Sequence, residues 1–362
     1  MQLTDYRALG RSGLAVSPLA LGTMTFGAGR WGVDEAGAGA ILDAFLEAGG
    51  NAVDTADIYA GGEGERMLGR LVRARGLRGD VVLATKSGFA AGRGPHRGGN
   101  GRKHVMAALE GSLARLGTDH VDLLWLHVWD GMTPPEEVME TMAAVIRSGK
   151  ARYWALSDWP AWQAARVATL AQAQGVPGPV AFQMFYSLVN RDVEEEHLPL
   201  ARDVGMGMMP WSPLAFGLLT GKYDRRAVEA RGPVAGGLPS EGGPGASPGA
   251  APAGGASRRL DGANPFGDAL FTARNWGIVD ALREVAAEAG EPMARVALAW
   301  LLGRPGVTAP LVGASGPEQL RENLAALALA LDPAHRARLD AASAPRDARP
   351  AANPLFAGPL RD

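Results

Sequence analysis

The stretch Val121-Asp-Leu-Leu-Trp-Leu-His127 is a short apolar run that ends on an imidazole. Two earlier runs have the same shape. Asn51-Ala-Val-Asp54 ends on a carboxylate, with Tyr59 five residues further on, and Val81-Val-Leu-Ala-Thr85 ends one residue before Lys86. Apolar runs of this length read as buried strands. Titratable groups at the C-terminal ends of such strands are the pattern of a (β/α)8 barrel, where chemistry collects at that end of the parallel sheet.

Working outward, short β-type runs alternate with helical patterns. Strands are expected at Val16–Leu21, Ala52–Asp54, Val81–Thr85, Val121–Leu126, Ala151–Leu156, Val180–Phe182, Gly207–Pro210 and Val307–Val312. Helices are expected at Asp34–Ala48, with Asp34 as N-cap, and at Glu63–Arg75, Arg102–Leu116, Pro135–Ile146, Ala161–Ala173 and Val193–Val204. Further helices are expected at Thr272–Ala289, Ala294–Leu302, Pro317–Leu329 and Pro333–Ala342. Eight strands with intervening helices close a barrel, here over residues 1–362 as a single domain. An open doubly wound sheet is the competing fold. Gly232–Ser257 is nearly all Gly, Pro, Ala and Ser. Such a segment buries too little apolar area to offset its ordering entropy, so it reads as a flexible, disordered insertion after the seventh strand. A tolerated surface insertion and a substrate or cofactor flap are its two readings.

Bulk properties narrow the function. Apolar residues make up 47% of the 362, enough for a large core, and the net charge of −2 gives no electrostatic case for nucleic acid or anionic membrane. The absence of Cys excludes disulfides and thiolate chemistry and fits a reducing compartment. The N-terminus lacks a signal-peptide pattern, and no apolar stretch reaches the roughly 18–20 residues of a membrane span. A cytoplasmic, soluble protein is the expectation. The six His residues show no metal-ligand spacing.

The strand-end groups form an acid/base set. A phenol with a pKa of about 10 is a poor proton shuttle at neutral pH. A Lys ammonium about 4 Å away contributes roughly 4 kcal/mol at an effective dielectric of about 20, enough to lower that pKa by about two to three. Lys86 is the candidate tuner of Tyr59, Asp54 its anchor, and His127 a hydrogen-bond partner for a substrate oxygen or a relay of the proton. A second series follows the later strands: Ser157-Asp158, Gln183, Trp211-Ser212-Pro213-Leu214 and Gly313-Ala-Ser315. Hydroxyl, carboxylate and amide groups bind a carboxamide, and an indole stacks on a flat ring. Gly313-Ala-Ser315-Gly316-Pro317, entering a helix, offers backbone N–H groups to a phosphate. A competing motif, Gly27-Ala-Gly29-Arg-Trp-Gly32, matches G-x-G-x-x-G, with Asp54 at about the distance of a Rossmann acidic residue. It is read as chance, because Arg30-Trp31 is bulky and the helix starts only at Asp34.

These residues, in this order, resemble the aldo-keto reductases. The matching stretches are Leu9-Gly-Arg-Ser-Gly-Leu-Ala-Val-Ser17, Asp54-Thr-Ala-Asp-Ile-Tyr59 with Gly64-Glu65 and Leu68-Gly69, Ala84-Thr-Lys86 and Asp122–His127. Trp211–Leu214 with Gly217 and Gly221-Lys222, and Val312–Ser315 with Gln319-Leu320 and Glu322-Asn323, complete the series. Outside Gly232–Ser257 the resemblance covers nearly the whole chain. It implies a TIM barrel that binds NADP(H) without a Rossmann motif and a catalytic tetrad of Asp54, Tyr59, Lys86 and His127. Tyr59 would protonate a carbonyl oxygen while nicotinamide delivers hydride. Ser157, Asp158 and Gln183 would hold the carboxamide, and Trp211 would stack on the nicotinamide. Ser212, Pro213, Leu214, Gly217 and Lys222 would line the pyrophosphate. Gly313, Ser315, Gln319, Glu322 and Asn323 would surround the adenosine end, and Thr23 and Met24 join the cofactor set.

Two departures stand out. Asp158 stands where the family often has Asn, and the Gly313–Gln319 turn lacks the basic residue that many members use for a 2′-phosphate, with Arg321 or Arg258/Arg259 as its candidate substitutes. NADP(H) is favoured, with NAD(H) left open. Phe26, Trp31, Phe89, Trp129 and Phe216 lie on loops at the same barrel end, as walls for a bulky carbonyl or as ordinary loop packing. The expected function is an NADP(H)-dependent reduction of an aldehyde or ketone, reversible, on a small-molecule substrate. The alternatives are a non-enzymatic NADP-binding regulatory subunit, similar to potassium-channel beta subunits, and a Schiff-base lyase using Lys86.

Overall fold

Each barrel strand runs parallel to the last because a helix carries the chain back to the starting edge. The computed structural model describes residues 1–27, 29, 32–90, 92, 94–231, 260 and 268–345. Trp31, Arg258, Arg259 and the expected insertion at 232–257 lie outside the described residues. An antiparallel hairpin comes first, β1 (Arg7–Ala8) with β2 (Ala15–Val16). The barrel strands are β3 (Ala20–Gly22), β4 (Ala52–Asp54), β5 (Val82–Ser87), β6 (Val121–Leu126), β7 (Ala151–Ser157), β8 (Ala181–Gln183), β9 (Gly207–Met208) and β10 (Leu311–Val312). They pair in the order β10-β3-β4-β5-β6-β7-β8-β9. The two ends of that row meet. Met208 bridges Val307, Thr308 N donates to Met208 O at 2.7 Å, and Leu311 N donates to Pro210 O at 2.8 Å. The result is a (β/α)8 barrel, not the open doubly wound sheet.

Helices α1 (Glu35–Glu47), α2 (Glu63–Ala74), α3 (Arg102–Leu116), α4 (Pro135–Arg147), α5 (Ala161–Ala173) and α6 (His197–Val204) follow strands β3 to β8 in turn. Between β9 and β10 come α7 (Arg225–Ala230), α8 (Ala273–Ala289) and α9 (Met293–Leu302). After β10, α10 (Pro317–Leu324) and α11 (Pro333–Ala342) close the described chain. Asp34 caps α1 as expected, accepting from Gly37 N at 2.8 Å. Among these helices none is long and apolar enough to cross a membrane.

Four expected elements divide. Val193–Val204 becomes a 3₁₀ turn at Asp192–Glu194 and, after a break, α6. Val16–Leu21 breaks into β2 and β3, because Pro18 has no N–H for a ladder and Ser17 N turns to the Asn51 side chain. Val307–Val312 is regular only at β10, since Pro310 interrupts it. Pro317–Leu329 tightens into a 3₁₀ turn after Leu324.

The strands alternate between two cores. Leu21, Val53, Leu124, Trp154 and Phe182 face the helices. Ala52, Ala84, Leu123, Trp125, Ala155, Ala181 and Met209 fill the barrel. Alanines on β4, β5, β7 and β8 leave the volume that Leu123 and Trp125 of β6 occupy. The hairpin closes the end where the strands begin. Leu9 is fully buried in the barrel core. Gly10 has φ +61, and a Cβ there would lie 2.3 Å from Val180 O. Only glycine fits so close to a backbone in that conformation.

Candidate active site

The inward-facing series continues by twos. Beyond Ala52 comes Asp54, beyond Ala84 Lys86, and beyond Trp125 His127. Ala155 leads to Ser157, Ala181 to Gln183, and Met209 to Trp211. The same pleat that buries an apolar layer therefore presents a polar layer two residues later, at the C-terminal mouth.

Lys86 is fully buried and its ammonium has three partners. It pairs with the Asp54 carboxylate, donates to Thr55 O at 2.9 Å, and donates to Tyr59 Oη at 3.2 Å. The other Asp54 oxygen accepts from Gln183 Nε2 at 3.2 Å. Burial alone would lower the Lys86 pKa, but the charge of Asp54, then Tyr59, outweighs it and holds Lys86 above its usual value. The amine is thus a fixed cation. His127 is the opposite case. Burial, then the Lys86 charge, push it well below its usual range, so it is a neutral imidazole. Its Nδ1 is buried without a hydrogen-bond partner. Its ring meets the edge of Phe89 at 4.7 Å and of Tyr59 at 6.2 Å.

Tyr59 sits on the turn between β4 and α2. After it, Ala60, Gly61 and Gly62 all take positive φ (49°, 63° and 88°). A Cβ on Gly64 would come 3.2 Å from Tyr59 Cβ, so α2 begins directly against the tyrosine.

A second arc lies on the later strands. Ser157 Oγ is buried and unpartnered. Asp158 holds a left-handed φ of 51°, and its N–H donates to Gln183 O at 3.2 Å. Its carboxylate accepts from Trp211 Nε1 at 3.0 Å. Burial pushes that carboxyl up to about 6, against the opposing Trp211 hydrogen bond. The Trp211 indole stacks on Phe185 at 4.8 Å and 19°. Next come Ser212, Ala215, Phe216 and Gly217 at φ 48°, 47°, 56° and 91°. Non-glycine residues rarely hold such angles, and they cluster at binding loops. Pro213 is buried, Leu214 half-buried, and the exposed Lys222 passes so close to Gly217 that a Cβ would meet its Nζ at 2.4 Å.

A third group surrounds the start of α10. Ser315 N and Oγ both donate to Gln319 Oε1, at 2.8 and 2.9 Å. Asn323 Nδ2 donates to Gly313 O at 3.4 Å, while Glu322 is exposed. Arg321 is exposed and paired with Glu318 at 3.7 Å. Thr25 Oγ1 donates to Ala314 O at 3.1 Å and ties this loop to the one after β3.

Three expected site residues stand elsewhere. Thr23 is fully buried, and its N and Oγ1 donate to Asp54 O at 2.9 and 3.0 Å. It braces the strand end and is not presented to the mouth, whereas Met24 beside it is half-buried. Phe26 is fully buried in the helix-facing core and walls no pocket. Trp129 is half-buried and turns its ring to the exposed Trp162, 6.1 Å away. Of the pocket candidates, Phe89 meets the tetrad directly, through His127. Sequence reading gave no role to Glu65. It falls in register with Leu68, Gly69 and Val72, on the buried face of α2. A carboxylate on an apolar helix face was the available signal.

Comparison with known proteins agrees with this geometry. Residues 18–344 match the model of the Aldo/keto reductase family. The chain is 36% identical, over 89% of its length and 91% of the relative's, to a probable voltage-gated potassium channel subunit beta of Oryza sativa subsp. japonica. It is also 36% identical, over 91% and 92%, to an uncharacterized oxidoreductase of Bacillus subtilis (strain 168). A putative potassium channel subunit beta of Schizosaccharomyces pombe is 34% identical over 89% and 88%. The chain belongs to the aldo/keto reductase family of oxidoreductases.

Proposed function

We propose that this aldo/keto reductase family member interconverts an aldehyde or ketone and its alcohol, using NADP(H). The observation that carries this reading is the fully buried Lys86 ammonium, held between the Asp54 carboxylate and Tyr59 Oη at 3.2 Å. That separation is shorter than the about 4 Å at which a lysine already lowers a phenol by two to three pKa units. Tyr59 Oη gives its proton to the carbonyl oxygen, and the adjacent ammonium stabilises the phenolate left behind. Asp54 keeps Lys86 charged and fixed. His127, being neutral, directs a ring N–H at the same carbonyl oxygen and orients it. In the alcohol-oxidising direction the proton returns to Tyr59 Oη.

A bound nicotinamide cofactor would supply or accept the hydride. The residues fit such a group. Ser157 Oγ is a buried hydroxyl lacking a partner, and with Asp158 and Gln183 it makes a set suited to a carboxamide. Trp211 offers a flat ring. The left-handed run from Ser212 to Gly217, with Lys222, suits a pyrophosphate. Ser315, Gln319, Glu322, Asn323 and Arg321 suit the adenosine end. Phe89 against His127 supports an apolar or aromatic carbonyl.

The relatives named as potassium channel beta subunits favour a second reading, cofactor binding with a regulatory role. One panel separates the two. Purified protein is tested for NADPH and NADH oxidation with aldehydes, ketones and quinones, beside Tyr59→Phe. The expected result is turnover that falls about 10²–10⁴-fold in the variant while NADPH binding persists. NADPH binding with no turnover would sink the reductase reading and favour the regulatory one.

A further inference from the structure

Glu65 poses a problem that the chemistry above does not use. Its side chain is fully buried beneath the active-site loop. A buried carboxylate is costly unless paired and hydrogen-bonded on all sides. Here both oxygens are engaged. Oε1 accepts from Thr85 Oγ1 at 2.6 Å, and Oε2 accepts from Arg115 Nε at 2.6 Å. Arg115 is steadied in turn by donating to Ser112 Oγ at 3.2 Å.

The three residues come from three elements. Thr85 is the residue before Lys86 on β5; its alternation turns it outward, toward the helices, while Lys86 turns inward. Glu65 lies in the first turn of α2, whose start rests on Tyr59. Arg115 is in the last turn of α3. Its aliphatic stem lies where a side chain at Gly62 would be, since a Cβ there would come 2.7 Å from Arg115 Cδ. The arginine therefore backs the left-handed turn that follows Tyr59, and the glutamate joins that turn to the strand of Lys86. Asp57, the other acid of the loop, donates its N–H to Lys86 O at 3.1 Å. Burial, then the charge of Glu65, pushes its carboxyl up to about 7. Arg115 thus serves Glu65 first.

We propose that the Thr85–Glu65–Arg115 chain, buried at Thr85 and Glu65, is a positioning device that sets the separation of Tyr59 Oη from Lys86 Nζ. An apolar contact would hold α2 to the barrel equally well, and Leu68 and Val72 already provide one. A polar tie adds direction. It fixes where the helix sits along β5, one residue from the lysine, and so where the tyrosine above that helix stands. The inference rests on the proposed role of Tyr59 as proton donor.

The test is Thr85→Val, which keeps the shape and removes the donated hydrogen bond, beside Thr85→Ser, which keeps the hydroxyl. The first readout needs no substrate. Ultraviolet titration of tyrosinate, wild type minus Tyr59→Phe, isolates Tyr59 among the five tyrosines. If the tie is lost and the pair opens by about 1 Å, the Tyr59 midpoint in Thr85→Val rises by about one pH unit. Thr85→Ser stays at the wild-type midpoint. The second readout is kinetic. In Thr85→Val, kcat falls about tenfold, while the dissociation constant for NADPH, read by fluorescence, changes less than twofold. An unchanged Tyr59 midpoint in Thr85→Val overturns the proposal, even if the melting temperature drops, because the chain is then only a brace. Should Thr85→Val fail to fold, Glu65→Gln with Arg115→Met removes both charges of the pair, and its midpoint is judged the same way. Because the titration is independent of turnover, a wild type that reduces no carbonyl would refute the proposed function and leave this result readable.

Discussion

The floor and the mouth of the barrel are built by the same strands, two residues apart, and they differ in almost everything else. At the floor, Ala52, Ala84, Trp125, Ala155 and Met209 share one apolar cluster with Leu9 of the hairpin. At the mouth, Asp54, Lys86, His127, Ser157 and Trp211 occupy the next inward positions. Two residues of strand are only about 7 Å. Over that distance the interior changes from a layer apolar but for Trp125 Nε1 to groups that need specific partners. His127 Nδ1 and Ser157 Oγ are buried without any. Buried polar atoms are normally satisfied, so these two orphans at inward-facing mouth positions mark where a ligand would complete the set. The floor supplies the rigidity that holds the orphans in place.

The comparison can be broken first at the mouth. Lys86→Met leaves Asp54 buried beside an apolar chain, and the expected loss is about 3–5 kcal/mol of unfolding free energy. Adding Asp54→Leu removes the orphaned charge and recovers most of it. Urea denaturation reads both, and a double variant no more stable than Lys86→Met would mean that Asp54 was not the cost. Next comes the floor. Leu9→Ala opens a cavity in a sealed layer and is expected to cost about 2–5 kcal/mol. It leaves the Tyr59 titration untouched, so a shifted midpoint would show that floor and mouth are not separable.

The third effect, no more than about 4 kcal/mol, is a pH dependence just behind the mouth. Asp57 is raised from 3.8 to about 7 by burial, then by the charge of Glu65. The folded state therefore holds this proton more tightly than the unfolded chain does. Its contribution favours folding at low pH and is lost as pH rises from about 4 to about 7, by up to about 4 kcal/mol. Asp57→Asn removes that slope. Melting at pH 5 and pH 8 should show a smaller drop in the variant than in wild type, and equal drops would clear Asp57 of the effect.

Much of the mouth was legible because apolar runs ending in Asp54, Lys86, Gln183 and just short of His127 carry their own parity. A strand buried on both faces reads as one run, and its last residue names the face. The floor was not legible. Arg7–Ala8 and Ala15–Val16 are too short for any period to register, and the hairpin docks where Gly10 meets backbone far along the chain. Phe26 was misplaced because one aromatic in a loop carries no periodicity to say which way it faces. The left-handed angles of Ser212, Ala215 and Phe216 were hidden too, since these residue types normally avoid them and only tertiary packing enforces them. Glu65 lay in plain view, in register with Leu68 and Val72, but an acid near a helix start also reads as a favourable charge at the dipole.

The seam that closes the barrel joins Met208 to Thr308, which stand 100 residues apart in sequence. The entropy of closing a loop grows only with the logarithm of its length. Removing the whole Gly232–Ser257 stretch from that loop would change the closure cost by about 0.3 kcal/mol. A ring of strands sealed at its longest connection can therefore accept or discard such a passage of chain at almost no thermodynamic consequence. Evolution is then free to vary this connection in length, while the six tighter crossings keep the barrel in register.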